Sequence, residues 1–262
     1  MRKQKFNFPV KFICSLAIIL LAFSFVIGYI WKVLTTAEFF SVKQVVVRNS
    51  DYKFEYLKGR NIFSLNLGNE AGMVFLKCPD CRKVRFSRIL PNCIVVDFLK
   101  RKPVALVKFY KNFAIDEQGV LFLPDLATEE LGLPVIYGLE TKIFDPQPGK
   151  SYKRSELGIA LSMINEFRAN KAFAGFSLKR IDLSNAGNAG FFILLPRQSV
   201  NYALANPRLE WTGFEVRTGV NNLQQKMMIL GGLIMQERKE LANIKYIDLR
   251  FKEPLIKLNN AK

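Results

Sequence analysis

The stretch "FLKCPDCRKVRFSRILPN", Phe75 to Asn92, holds the only Cys-x-x-Cys of the chain, Cys78 and Cys81. That spacing serves three chemistries: a metal knuckle, a dithiol redox couple, or a structural pair. A structural zinc needs about four ligands. The chain has four cysteines and no histidine, and Cys14 lies inside a long apolar run, so Cys93 alone is left to join the pair. The ligand count fails, and no metal is expected. An oxidoreductase wants its Cys-x-x-Cys opening a helix after a strand, where the helix N-terminus stabilises the thiolate. Here the pair closes a predicted helix instead. Structural cysteines, a local disulfide included, and thiols used in an incidental exchange both stay open.

The absence of histidine also removes the commonest general base and every Ser-His or Cys-His nucleophile scheme. Among the acids, Asp116 and Glu117 stand in a turn before Gly119, and Asp182 and Asp248 each sit in an "Ile-Asp-Leu" strand pattern. Neither a pair of facing carboxylates nor a nucleophile elbow can be read from these spacings. The turn acids read as acceptors for backbone amides. No catalytic residue, cofactor-binding residue or cofactor is expected. Binding is the function left.

The elements that position these residues begin with an apolar run. Phe12 to Trp31, "FICSLAIILLAFSFVIGYIW", carries no charge, and as a helix it reaches about 30 Å, the thickness of a hydrocarbon core. Tyr29 and Trp31 stand at one end like interfacial anchors. Arg2, Lys3, Lys5 and Lys11 precede the run without an acid among them, which predicts a cytoplasmic N-terminus and export of the chain beyond residue 34. A cleaved signal peptide usually has a shorter apolar region, so an uncleaved single-pass anchor over residues 12–34 is expected, after a cytoplasmic tail of residues 1–11.

The chain has 39 Lys and Arg against 22 Asp and Glu, and the excess is uneven. Residues 39–108 hold 14 basic residues against 5 acids, and residues 109–262 hold 20 against 16. The part tethered beside the membrane is therefore the basic one. Anionic headgroups attract such a surface, and a solvated basic face is the alternative. No stripe alternating Arg with aromatics suggests nucleic acid, and none is expected as a partner.

The patterning implies two exported modules. "FSVKQVVVRN" alternates and is rich in valine, so it reads as a strand. A short helix is predicted around Glu70 to Lys77, then strands at "RKVRFSR" and "CIVVDFLKRKPVALV" joined by Pro91 and Asn92. In the latter, Ile94, Val96 and Phe98 share one face, opposite Val95 and Asp97. From Phe109 onward the reading is strand, acidic-Gly turn and strand in "FYKNFAIDEQGVLFLP", then "LPVIYG", a helix over Ser155 to Arg168, and strands at "SLKRIDLS", "FFILLP" and "FEVRTG". A helix over Leu223 to Leu241 carries the stripe Leu223, Met227, Leu230 and Ile234. The chain closes on "IKYIDLRF". The expected fold class is a single-pass transmembrane helix, a small α+β domain at 39–108 and a larger β-rich α+β domain at 109–253, with a tail at 254–262.

This layout resembles the bacterial cell-division family FtsQ/DivIB. "FSVKQVVV" looks like the opening strand of that family's POTRA module, "GRNIFSLNL" like its Gly-x-Asn-hydrophobic-Phe segment, and "RKPVALV" like its close. "FAIDEQGVLF", "LPVIYG", "RTG" followed at Lys226 by the final helix, and "KYIDLRF" resemble landmarks of its β domain. Lys100 departs from the family, which commonly has an acid there, and the tail "KEPLIKLNNAK" is short and lacks tryptophan.

The resemblance implies a divisome scaffold in the cytoplasmic membrane at the septum, linking early and late septation proteins. It implies FtsL- and FtsB/DivIC-like single-pass partners and the septal peptidoglycan synthesis machinery, and for the POTRA-like module a role in placing the protein. The mechanism expected from the residues is strand addition at the exposed backbone of a terminal strand. The candidate is the last strand, with Ile247, Leu249 and Phe251 on one face and Tyr246, Asp248 and Arg250 on the other. Two alternatives are a POTRA-bearing outer-membrane assembly or translocation factor and a membrane-anchored cell-wall enzyme.

Overall fold

The computed structural model describes residues 10–152, 154–185, 188–196, 213–237 and 240–259. The basic tail residues Arg2, Lys3 and Lys5 lie outside them. The chain divides into two units, Met1–Lys100 and Arg101–Lys262.

The first unit opens with α1, Val10–Thr36. Residues 12–33 of this helix are exposed throughout, as a helix solvated by lipid rather than by protein requires. A single 3₁₀ turn, Glu38–Phe40, leads into β1, Gln44–Arg48. Helix α2, Leu67–Leu76, starts three residues before the predicted helix because Asn66 caps it, its side chain accepting from the Asn69 amide at 3.1 Å. Strands β2, Cys81–Ile89, and β3, Cys93–Lys100, complete a three-stranded sheet in the order β1-β3-β2. β1 runs parallel to β3, and β2 antiparallel to it. Ile94, Val96 and Phe98 point to one face and are buried with Leu57, Ile62, Cys81 and Val84, in keeping with the period-two pattern.

One predicted strand is two. "CIVVDFLKRKPVALV" leaves the first sheet at Lys100, and Ala105–Lys108 forms β4 of a different sheet. Pro103 has no amide to donate and forces its predecessor out of regular pairing. The side chain of Arg101 turns to Asp116 at 2.6 Å, both almost fully buried. The units therefore part between Lys100 and Arg101, eight residues before the boundary expected at 108/109.

The second unit is a nine-stranded sheet in the order β12-β11-β10-β9-β8-β7-β4-β5-β6. Its elements after β4 are β5 (Asn112–Ile115), β6 (Leu121–Phe122), a short α3 (Leu126–Glu130), β7 (Val135–Tyr137), α4 (Ser155–Ala169), β8 (Ser177–Asp182), β9 (Gly190–Leu194), β10 (Gly213–Arg217), α5 (Leu223–Gln236), β11 (Ile244–Asp248) and β12 (Leu255–Leu258). Helices α4 and α5 contribute Leu157, Met163, Met227, Leu230 and Ile234 to the same core as Phe113, Ile136, Phe191 and Phe214 of the sheet. The stripe read from the last helix thus packs on a sheet, with Leu223 at its margin. That helix ends at Gln236 rather than Leu241, which instead opens a 3₁₀ turn. Gly138, at φ +85°, lies where an added Cβ would stand 2.1 Å from the Ser184 amide nitrogen, so only glycine fits the close approach after β7.

Candidate functional site

The two outer strands of the large sheet have different surroundings. At one end, β6 is two buried residues. Its backbone is met on the outside by the 149–151 segment: Leu121 donates to the Lys150 carbonyl at 3.0 Å, Gly149 donates to the Leu121 carbonyl at 2.7 Å, and Val120 bridges Ser151. The hairpin before it is tied by Asp116. One of its carboxylate oxygens accepts from the amides of Gln118 and Val120 at 2.9 Å each, and the other from Arg101. The turn acid is thus an amide acceptor, as its type and position before Gly119 suggest, and is also half of a buried ion pair.

At the opposite end stands β12. Its four residues are all exposed, Leu255 at 53%, Ile256 at 40% and Leu258 at 50%. It pairs antiparallel with β11 along Ile244↔Leu258, Tyr246↔Lys257, Ile247↔Ile256 and Asp248↔Leu255, and no strand lies beyond it in the sheet among the described residues. An outermost strand of this kind carries one row of amides and carbonyls with no ladder partner.

This arrangement corrects the expectation for Ile244 to Phe251. β11 is not a rim: it has β10 parallel on one side and β12 antiparallel on the other. Ile247, Asp248 and Leu249 are buried, and Tyr246 is partly buried. Only Arg250 and Phe251 of the six candidates are exposed, Phe251 at 59%. Strand alternation stops at Asp248, and for that reason Phe251 does not share the buried face of Ile247. The residues read as a terminal tail, Leu255–Leu258, supply the edge. Sequence reasoning passed over them because four residues after Pro254, with three of them apolar, show no alternation. The recoverable signal was a Leu-Ile-Lys-Leu run behind the turn segment Phe251–Glu253.

The six candidates nevertheless frame the rim from behind. Asp248 accepts from the Arg250 guanidinium at 2.6 to 3.2 Å and from the Arg250 amide at 3.0 Å. These bonds, helped by the nearby Arg217 charge, hold its carboxyl below the usual carboxylate range against the opposing effect of burial. Arg250 also donates to the Asn188 side chain and lies 5.9 Å from the Phe251 ring centroid. Tyr246 is sandwiched in register between Glu215 of β10 and Lys257 of β12. The Arg217 guanidinium sits 4.1 Å over its ring, and Lys257 is 5.9 Å from it, so cation–π attraction fixes the ring beside the edge. Glu215 holds Arg217 in turn at 3.1 Å.

A cavity of about 400 Å³ opens at the turn that leads into β12, lined by Asn221, Asn222, Gln225, Lys226 and Ile229 on one side and by Leu249, Arg250, Phe251, Lys252 and Pro254 on the other. Lys226 donates to the Thr218 carbonyl, and burial pulls its ammonium below the ordinary lysine range. Chemically the site can accept an extended backbone on β12 and an apolar side chain beside Phe251.

Elsewhere, Cys78 and Cys81 are joined as a disulfide between the end of α2 and the start of β2. Their sulfurs and an Asp80 oxygen lie within 4.8 Å of one another, but joined sulfurs are not thiolates, and thiolate is the form that binds metal. Lys100 pairs with Asp80 at 3.5 Å.

A family model described as "Cell division protein FtsQ/DivIB, C-terminal" matches residues 105–250. The chain is similar to the cell division protein FtsQ of Geotalea daltonii, 22% identical over 199 residues, covering 76% of this chain and 66% of that one. It is 23% identical over 225 residues to FtsQ of Syntrophotalea carbinolica, covering 83% of this chain and 73% of the relative, and 28% identical over 105 residues to FtsQ of Myxococcus fulvus, covering 39% and 37%. The matched stretch thus spans just under two thirds of the Geotalea protein. The family match ends at Arg250, so β12 lies beyond it.

Proposed function

Because the matching region takes in more than half of the chain, the chain belongs to the FtsQ/DivIB family of cell division proteins, and from that premise we propose that it acts as a bitopic divisome scaffold, binding other chains rather than catalysing a reaction. Helix α1 anchors it in the cytoplasmic membrane with the N-terminus inside and both units exported, at the septum. The first unit serves as the POTRA-like module that helps to place the protein there, and the basic surface of that module contacts anionic lipid.

The observation that carries the reading is the open edge β12. FtsL- and FtsB/DivIC-like single-pass partners add a strand to it, with an apolar side chain set against Phe251 and Tyr246 flanking. Backbone pairing gives affinity, and the neighbouring cavity gives selection. In this way the scaffold links early division proteins to the septal peptidoglycan synthesis machinery. Family membership takes support away from the outer-membrane assembly factor and the anchored enzyme.

The test is capture of the partner pair by the full chain carrying Ile256→Asp or Phe251→Ala. Both side chains are exposed, so the fold should persist. Losing a buried apolar contact of about 2 kcal/mol should weaken capture more than tenfold. Undiminished capture by both folded variants would remove β12 as the docking edge. Depletion of the protein should give filaments without septa, and normal septation would remove the division role itself.

A further inference from the structure

We infer that the end of the first unit where β1 begins is a lipid-contacting surface for anionic headgroups, held at headgroup depth by Asn61. The inference rests on the proposed reading of α1 as a membrane anchor and of the first unit as touching anionic lipid, and adds the residues and the mechanism of contact.

The anchor does not meet the first unit through a loose linker. The Asn61 side-chain amide donates to the Leu34 carbonyl at 2.9 Å and to the Ala37 carbonyl at 3.4 Å, while its oxygen accepts from the Phe63 amide at 2.9 Å. It therefore caps the Leu34 carbonyl, one of those the end of α1 leaves without a helical partner, and is a second donor to the Ala37 carbonyl, which also accepts from the Phe40 amide. Around it, Ile62 donates to the Phe40 carbonyl at 2.8 Å, Val42 donates to the Arg60 carbonyl at 2.9 Å, and Ser41 bridges Asn61. The loop 59–63 is thereby laced to the chain as it leaves the helix.

That lacing sets a depth. If Phe12 to Trp31 fills the hydrocarbon core, Leu34 lies three residues further, about 4.5 Å beyond it, within the polar layer of roughly 5 to 7 Å on each side. The other side of the same entry strand holds the β2–β3 turn, because Lys43 donates to the Asn92 carbonyl at 2.9 Å. β1 and β3 are parallel and begin together at Gln44 and Cys93, so that turn belongs to the membrane end of the sheet. The disulfide and Lys100 belong to the other end, the length of the eight-residue β3 or about 23 Å away.

The composition of this end suits an interface. Phe39, Ile89 and Leu90 are exposed at 66%, 52% and 57%. Lys32, Lys43, Lys58, Arg60 and Arg88 are exposed around them, against Glu38, Glu55 and the buried Glu70. Glu55 holds Lys58 at 2.7 Å, and Glu70 holds Arg60 at 3.7 Å. Arg88 is fixed by the Ile62 and Leu65 carbonyls at 2.8 and 2.6 Å, which place its charge without neutralising it. Apolar tips among cations, set at headgroup level, are typical of surfaces that lie in a bilayer interface.

The experiment reconstitutes the full chain in nanodiscs of phosphatidylcholine, with or without phosphatidylglycerol. A fluorophore is attached at Leu90→Cys, or at the far-end control Lys53→Cys, in a Cys14→Ser, Cys93→Ser background. Aqueous iodide should quench the position-90 probe about threefold less than the control in phosphatidylglycerol discs, with a smaller difference in phosphatidylcholine alone. Asn61→Asp keeps the acceptor for Phe63 and deletes the donor to α1, and should abolish the shielding while the chain stays in the disc. Equal quenching at both positions in disc-embedded protein would overturn the inference and leave the anchor intact. Shielding indifferent to phosphatidylglycerol would overturn the preference for anionic headgroups, and shielding indifferent to Asn61→Asp would overturn the latch. Failure of the chain to enter discs would overturn the anchor reading and the inference with it.

Discussion

The two outer strands of the nine-stranded sheet meet the same physical problem and answer it in opposite ways. A bare sheet edge is a template for pairing with any other chain. At β6 the protein removes the problem: the strand is two residues long and buried, and the 149–151 segment covers it. At β12 the edge is twice as long, exposed and apolar. Among the described residues the protein closes one rim with a buried ion pair and a covering segment and leaves the other unpaired, and the proposed docking function rests on that contrast.

The largest effect is expected at the closed end. Asp116→Ala would leave the Arg101 guanidinium buried without its carboxylate and two amides without their acceptor, and should destabilise the protein by about 3–5 kcal/mol. Chemical denaturation of the full chain measures it. A loss under about 1 kcal/mol would mean that the ion pair does not hold the closed rim. Asp248→Asn, behind the open rim, should cost less, about 1.5–3 kcal/mol, for the charge-assisted bonds to Arg250.

Asp248 also carries a pH signature. Its carboxyl titrates below the ordinary aspartate range in the folded state, so its stabilising contribution is fully present above the unfolded value of about 3.9 and is lost as pH falls through the depressed folded value. Acid denaturation of Asp248→Asn should be shallower than that of the unaltered chain below about pH 4. Identical acid limbs would show that the Arg250 pairing contributes nothing. The smallest stability effect belongs to β12 itself: Ile256→Asp should shift stability by less than about 0.5 kcal/mol, as an exposed substitution does, while it weakens partner capture more than tenfold. A large stability loss there would make the open edge a structural strand rather than a docking one.

Particular residues show where sequence reading succeeded. The alternation of Ile94, Val96 and Phe98 and the stripe Met227, Leu230 and Ile234 were legible because each side chain's face is set by the backbone period alone. The Asp116 turn was legible in part: its amide contacts are local, but its partner Arg101 is fifteen residues away, in the connection between β3 and β4. Asn61 reads as part of a family-like segment, and nothing in its spacing reveals that it reaches back to Leu34.

By itself, then, the sequence determined the apolar helix, the basic first unit, the strand and helix faces and the absence of histidine chemistry, all of them properties of composition and short-range periodicity. Tertiary structure alone decided that Ile244–Asp248 is interior, that Leu255–Leu258 is the rim, that Pro103 splits one strand between two sheets and that Cys78 and Cys81 are joined. Which strand lies outermost depends on what pairs beyond it, and such pairing is made between segments far apart in the chain, where local pattern carries no information.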